Sequence, residues 1–302
     1  MWDFSLEGRI DTSERRVRRS IRIVFRDGDY SSENIFKFGQ LEVRRALDNL
    51  SLYYALDNRF SDSLGCIHAS GLLTKWFYEI YCQGLITSPL QIGAGYWDDI
   101  LLMLITKDRE LIHAVAPLFK QTAFDDDQKY FSEDPWSKYR SYKWAYYLSQ
   151  PLSMLLTGDI ESAKKLLSLK RAKLDAQFRA LCGAMDAIVA CDKEAFDEVI
   201  KNQIRAWKQH YYGNNMIERY VNTRAVSLIC LAEYVWEEKV KSDYDEIINS
   251  LVCQTEYSSY PLPADIFRIP TTEELETLKN ETEQKKKPES FISSIMKLFK
   301  KK

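Results

Sequence analysis

The feature that most constrains this chain is the spacing of its apolar side chains. Over most of its length they recur every three or four residues, the period of an α-helix, and they rarely alternate as a half-buried strand requires. Residues 33–58 carry Phe36, Leu41, Val43, Leu47, Leu50 and Tyr54 in such a row. Residues 64–84 repeat the pattern with Leu72, Leu73, Trp76, Phe77, Ile80 and Tyr81. Trp97 to Thr106 is apolar nearly all round, which predicts a central helix. Only eleven Gly and eight Pro punctuate 302 residues, few for a turn-rich β-sandwich or a glycine-dependent nucleotide fold. The spacing therefore predicts an all-α fold. Ile21–Phe25, just before the Asp27-Gly28-Asp29 turn, reads either as a short N-terminal extended segment or as the end of a basic helix.

A loose repeat runs through the middle. Leu101–Thr106 leads to Asp108 and Glu110, Leu152–Thr157 to Asp159 and Glu161, and Ala187–Cys191 to Asp192 and Glu194. Each is an apolar helix end, a turn with Asp, an early Glu and a second amphipathic helix. Asp is a good N-cap, and an early Glu suits the positive end of the helix dipole. The three Asp are 51 and 33 residues apart, so the period is irregular. The reading is one compact array of stacked antiparallel helical hairpins, like irregular TPR repeats; local convergence on good caps is the alternative.

Charge and proline divide the chain into three. Residues 1–32 form a basic N-terminal segment, with six Arg and no acid across 15–26. Residues 33–268 form the helical domain, closed by Pro261, Pro263 and Pro270. Residues 269–302 are a charged linker and a short amphipathic basic tail. In Phe291–Lys302 the apolar Phe291, Ile292, Ile295, Met296, Leu298 and Phe299 can share a face beside Lys297 and Lys300–Lys302. The tail reads first as a frayed or self-packed end; contact with an anionic membrane or a partner groove is the alternative.

The formal net charge is −2, but each basic end carries +6 and residues 1–14 carry −3, which leaves −11 for residues 27–284. Such a body repels nucleic acid and suits a basic protein partner, or simply keeps the surface soluble. No secretory signal or membrane-spanning run is legible, and the six Cys sit mostly among apolar residues. A cytoplasmic protein with buried thiols is the expectation.

Catalytic spacing is scarce. No nucleophile elbow, phosphate-binding loop or dinucleotide fingerprint occurs, and Gly93-Ala94-Gly95 has two of three required glycines. No metal-ligand spacing occurs, and Cys66 and His68, two residues apart, do not face each other on a helix. Acid pairs such as Asp98-Asp99 and Glu237-Glu238 fit helix starts and exposed loops better than acid–base work. No cofactor, metal or catalytic residue is expected. A hydrolase with a dispersed carboxylate site is the enzyme-class alternative.

The stretch 124–147 is unusual. An acidic loop holds Asp125, Asp126, Asp127, Tyr130, Glu133 and Asp134, and Trp136 opens an aromatic run. Tyr and Trp anchor interfaces, and acids beside them select a basic partner, although aromatics at helical spacing also fill cores.

The C-terminal third resembles a known family. Trp207, the loop His210-Tyr211-Tyr212-Gly213-Asn214-Asn215, the helix Ala225–Ala232 and the exit Ser242-Asp243-Tyr244 to Tyr260-Pro261-Leu262-Pro263-Ala264-Asp265 are similar to the immunity protein 49 family of bacteria. The likeness is best over 207–267 and looser over 35–268. PoNe-type DNase immunity proteins end similarly. The resemblance implies an all-helical protein that binds and blocks a toxin domain and brings no catalytic residues. The alternative is a helical-repeat adaptor for a peptide or protein, tethered through its tail. On the immunity reading the partner-binding residues are Asp125, Asp126, Asp127, Tyr130, Glu133, Asp134 and Trp136. Lys in place of the three aspartates then slows association with a basic partner, read by stopped-flow kinetics; an unchanged rate contradicts the placement.

Overall fold

The computed structural model of this chain describes residues 5–25, 33–83, 97–131, 143–168, 176–210, 220–241 and 243–267, and positions 271, 273, 276 and 280. Within helices, the side chains of 23–25, 33–41, 125–131, 143–147, 176–178, 210 and 265 lie outside that description. Among the described residues the fold is all-α. The helices are α1 (Leu6–Phe25), α2 (Glu33–Leu56), α3 (Phe60–Cys82), α4 (Trp97–Leu104), α5 (Arg109–Phe131) and α6 (Lys143–Leu156). They continue as α7 (Ile160–Leu167), α8 (Ala176–Ala190), α9 (Lys193–His210), α10 (Thr223–Trp236) and α11 (Glu246–Cys253).

Ile21–Phe25 is helical, not extended. Ser5 opens α1 by accepting the Gly8 N–H at 3.1 Å, and Ile10 and Val17 then bury one face against α2. Ile21 continues that buried row, so the helix period outlasts the β-branched residues. The Tyr54 hydroxyl of α2 donates to Glu14 of α1 at 2.7 Å. The N-terminal segment set apart by charge thus shares a core with the domain. Leu47, Leu50, Phe77, Tyr78, Phe119 and Phe196 are among its fully buried side chains. Each such burial contributes about 1.5–3 kcal/mol before ordering costs.

The expected turns at Asp108, Asp159 and Asp192 are all present, and a fourth joins α2 to α3. Each places one residue in the left-handed region: Asn58 (φ 59°), Lys107 (φ 56°), Gly158 (φ 76°) and Cys191 (φ 54°). In three of them the next amide reaches back five residues. Arg59 N–H meets the Tyr54 carbonyl at 2.9 Å, Asp159 the Met154 carbonyl at 2.9 Å, and Asp192 the Ala187 carbonyl at 3.0 Å. This is the Schellman closure of a helix C-terminus, and the residue that completes it opens the next helix. Asp108 accepts from Leu111 N–H and Asp192 from Ala195 N–H, both at 2.9 Å. Asp159 makes no such cap bond; its carboxylate meets Lys120 at 3.2 Å.

α2/α3, α6/α7 and α8/α9 pack as hairpins. α4 instead leaves its sequence neighbour α5 and packs on α10, α3 and α6, while α5 packs on α3 and α6. The expected central helix is therefore central, and it interrupts the regular stacking. No helix among the described residues is long and apolar enough to cross a membrane. Cys66, Cys182 and Cys230 are buried as expected, whereas Cys191 and Cys253 are exposed.

After α11 the chain leaves helix and crosses α3 as a strap, 254–263. Ser258 N–H bonds the Ser61 carbonyl at 3.1 Å, and Tyr257 stacks on His68 with ring centroids 4.5 Å apart. Gly65 permits this crossing: a Cβ there would lie 2.0 Å from the Ser258 carbonyl oxygen. The strap then turns through a short 3-10 helix, Ala264–Phe267, which buries Ile266 and touches α1. Gly65→Ala pushes the strap off α3 and lowers stability by about 1–3 kcal/mol, a drop of several degrees in Tm by calorimetry. An unchanged Tm contradicts the close approach.

Candidate functional site

The residues marked for partner binding fall at the far end of α5. Asp125, Asp126, Asp127 and Tyr130 lie on its last turns, so this part of the expected acidic loop is helix: the α5 period runs on to Phe131. Their side chains, together with Glu133, Asp134, Trp136 and the tail Phe291–Lys302, lie outside the described residues. Two other places in the molecule gather chemistry.

The first is the start of α4. Asp98 and Asp99 open this helix, as their sequence position predicts, and each also holds an arginine. Asp98 meets Arg224 of α10 at 2.9 Å, and Asp99 meets Arg44 of α2 at 3.0 Å. The Arg44 side chain is 5% exposed and that of Asp99 17%, so the second pair is shielded from water. Arg224 also lies over the Trp97 ring at 5.3 Å. Asp48, one helical turn beyond Arg44, joins the Asp99 site. Burial, reinforced by the Asp99 charge and only partly offset by Arg44, pushes its carboxyl up to about 7. Its buried Oδ1 has no hydrogen-bond partner among the described residues. Asp99 is raised too, by burial against the pull of Arg44. Beside this network, a hollow of about 190 Å³ is lined by Trp207, Arg224 and the amide pair Gln203–Asn222. Asn222 donates to Gln203 at 2.9 Å and caps α10 by accepting from Ala225 N–H at 3.2 Å. The network pairs Asp98 and Asp99 with arginines of α10 and α2 and so holds three helices together.

The second is a two-lobed cleft around Tyr234, near the C-terminal end of α10. The smaller lobe, about 220 Å³, takes apolar lining from Leu104, Ile112 and Cys230. The larger, about 490 Å³, lies between Pro117 of α5, Val235 of α10 and the turn from Leu155 to Ile160. Arg109, Tyr234 and Glu237 border both. The Tyr234 hydroxyl donates to the Leu156 carbonyl at 3.1 Å, which fixes the ring. Arg109 sits over that ring at 5.7 Å and 3.4 Å from Glu237, and His113 meets the ring edge-on at 6.0 Å. Pro117 supplies no N–H to the His113 carbonyl one turn back.

The Cys230 thiol in the cleft is not a poised nucleophile. Burial pushes the Cys230 thiol up to about 12, so it stays protonated at neutral pH. Lys107 is held by Glu233 at 3.1 Å and by the Val252 carbonyl. Among the described residues no three His, Cys, Asp or Glu side chains gather as a metal site.

The chain matches no family model, no curated protein and no solved structure.

Sequence reasoning located Asp98, Asp99, Glu237 and Glu238 but not their partners, because Arg44, Arg224, Arg109 and Lys193 are distant in sequence. Apolar spacing offered a signal for Tyr234, which lies one turn beyond the buried row of α10, but none for the cleft it borders. A pH test follows for Asp48. Its folded pKa lies above its unfolded value, so the native state takes up a proton and wild-type stability rises as pH falls through about 7. Asp48→Asn is therefore more stable than wild type near pH 8, and in urea unfolding the gap narrows as pH falls through about 7 and closes only below the unfolded value of 3.8. Parallel pH profiles contradict the raised carboxyl.

Proposed function

We propose that this chain is a binding protein that neutralises a basic toxin domain by covering it, as an immunity protein does. The observation that carries the proposal is the cleft around Tyr234. It combines an apolar lining, a fixed aromatic ring and a rim of exposed ion pairs, the composition of a protein-recognition surface. Glu237, whose side chain is 73% exposed, pairs with Arg109, and Glu238 pairs with Lys193 at 2.7 Å. Exposed pairs of this kind contribute about 0–1 kcal/mol, so a partner's Lys or Arg replaces one member at little cost. The surplus of acid over residues 27–284 draws such a partner in.

The acidic stretch Asp125–Asp127, with Tyr130, Glu133, Asp134 and Trp136, forms a second contact in this proposal. It begins about 25 Å along α5 from Arg109, a span within a standard interface. The resemblance of 207–267 to the immunity protein 49 family supports the same reading, since that segment supplies α10. The hairpin array also suits an adaptor, and the identity of the partner separates the two.

The test is capture on the tagged full-length protein from lysate of the parental organism at low salt, followed by mass spectrometry and a toxicity assay. The proposal expects one stoichiometric basic toxin domain whose toxicity falls on co-expression. Tyr234→Ala weakens its binding by roughly tenfold or more, as for an interface anchor. A partner set without a toxin, or a toxin still active in the complex, contradicts the proposal.

A further inference from the structure

We propose that the outer face of α1 is a docking surface for an acidic helix of a partner protein. This surface is separate from the cleft and does not depend on the toxin reading. At 100° per residue, Arg15, Arg19 and Arg22 fall on one narrow stripe. It lies opposite Ile10 and Val17, which are buried in the core. Arg16 and Arg18 flank it, and all five arginines are exposed.

The fold uses the two flanking arginines and the first member of this stripe. Arg16 reaches Glu42 of α2 at 3.7 Å, and Arg15 and Arg18 reach Asp11 and Glu14 of α1 at 2.7 and 3.6 Å. Among the described residues no carboxylate forms an ion pair with Arg19 or Arg22. Guanidinium groups three and four residues apart repel one another along the helix. A bound row of carboxylates relieves that repulsion, so complex formation gains where the free helix loses.

The geometry selects the partner. From Arg15 to Arg22 the stripe runs about 10 Å, with steps of about 6 and 4.5 Å. Carboxylates at i, i+4 and i+7 on a second helix have the same steps. An anionic membrane is disfavoured because, among the described side chains of α1, no exposed residue is apolar. A nucleic acid is disfavoured because its continuous charge meets the −11 carried by residues 27–284. A short acidic helix avoids that repulsion.

Fluorescence anisotropy with the full-length protein tests this. The probe is a labelled alanine-based peptide of about 15 residues with Glu at i, i+4 and i+7. Controls are the same composition with the three Glu consecutive, an oligothymidylate of equal length and phosphatidylserine vesicles. The spaced peptide binds best. Arg19→Gln with Arg22→Gln weakens it about tenfold or more, as does a rise from about 50 to about 200 mM salt. Arg19→Lys, which keeps the charge, retains binding. Circular dichroism of the Gln variant matches wild type, because the change removes like-charge repulsion and no core contact. Equal affinity for both peptides, equal affinity of wild type and the Gln variant, or tighter binding of the oligonucleotide or vesicles overturns the proposal.

Discussion

The arrangement of this protein depends on a short helix held from two sides. α4 has eight residues, five of them buried, and its first turn carries two adjacent aspartates. Adjacent positions on a helix point about 100° apart, so neighbouring carboxylates reach different neighbours. Asp98 reaches Arg224 on α10 and Asp99 reaches Arg44 on α2. One turn of backbone thereby links a helix near the beginning of the chain to one near its end. A buried ion pair is a weak source of net stability, because desolvation offsets much of the attraction. Its effect here is on register: α4 rotated by one residue leaves two charges without partners.

The turn that follows α4 couples the cleft to the strap. Lys107, in the left-handed conformation, carries its ammonium to Glu233 and to the Val252 carbonyl at the end of α11. Asp108 caps α5, accepts from the Tyr257 hydroxyl at 3.3 Å and lies 3.1 Å from Nε2 of His68. Burial opposes the Asp108 charge, but the Leu111 N–H and His68 outweigh it and hold the carboxyl below its usual range. Two consecutive residues thus fix one wall of the cleft and the course of the strap. Displacing either shifts the other.

Helices and turns were legible because they are local. Apolar period located the helix rows of α2, α3 and α10, and the Asp–Glu pattern marked three turns. The fourth was hidden because Arg59 occupies the capping position and makes no cap bond. Arg59 instead pairs with Asp62 at 2.7 Å and lies over the Tyr54 ring at 4.2 Å. The strap was illegible because it depends on Gly65, whose lack of a Cβ matters only beside Ser258, far along the chain. The cleft was illegible for the same reason: Arg109, Tyr234 and Glu237 meet only after α5 and α10 are placed. The helical end of α5 was missed because Asp125–Asp127 read as a loop, although the backbone period continues through them.

The most direct measurement is a double-mutant cycle on Arg44 and Asp99, followed by urea unfolding at neutral pH. Arg44→Met alone leaves buried carboxylates unpaired and lowers stability by about 3–5 kcal/mol, while adding Asp99→Leu restores most of that loss. The account predicts a coupling of about 2 kcal/mol or more between the two positions. Single changes that each cost less than about 1 kcal/mol and simply add would contradict the role given to α4.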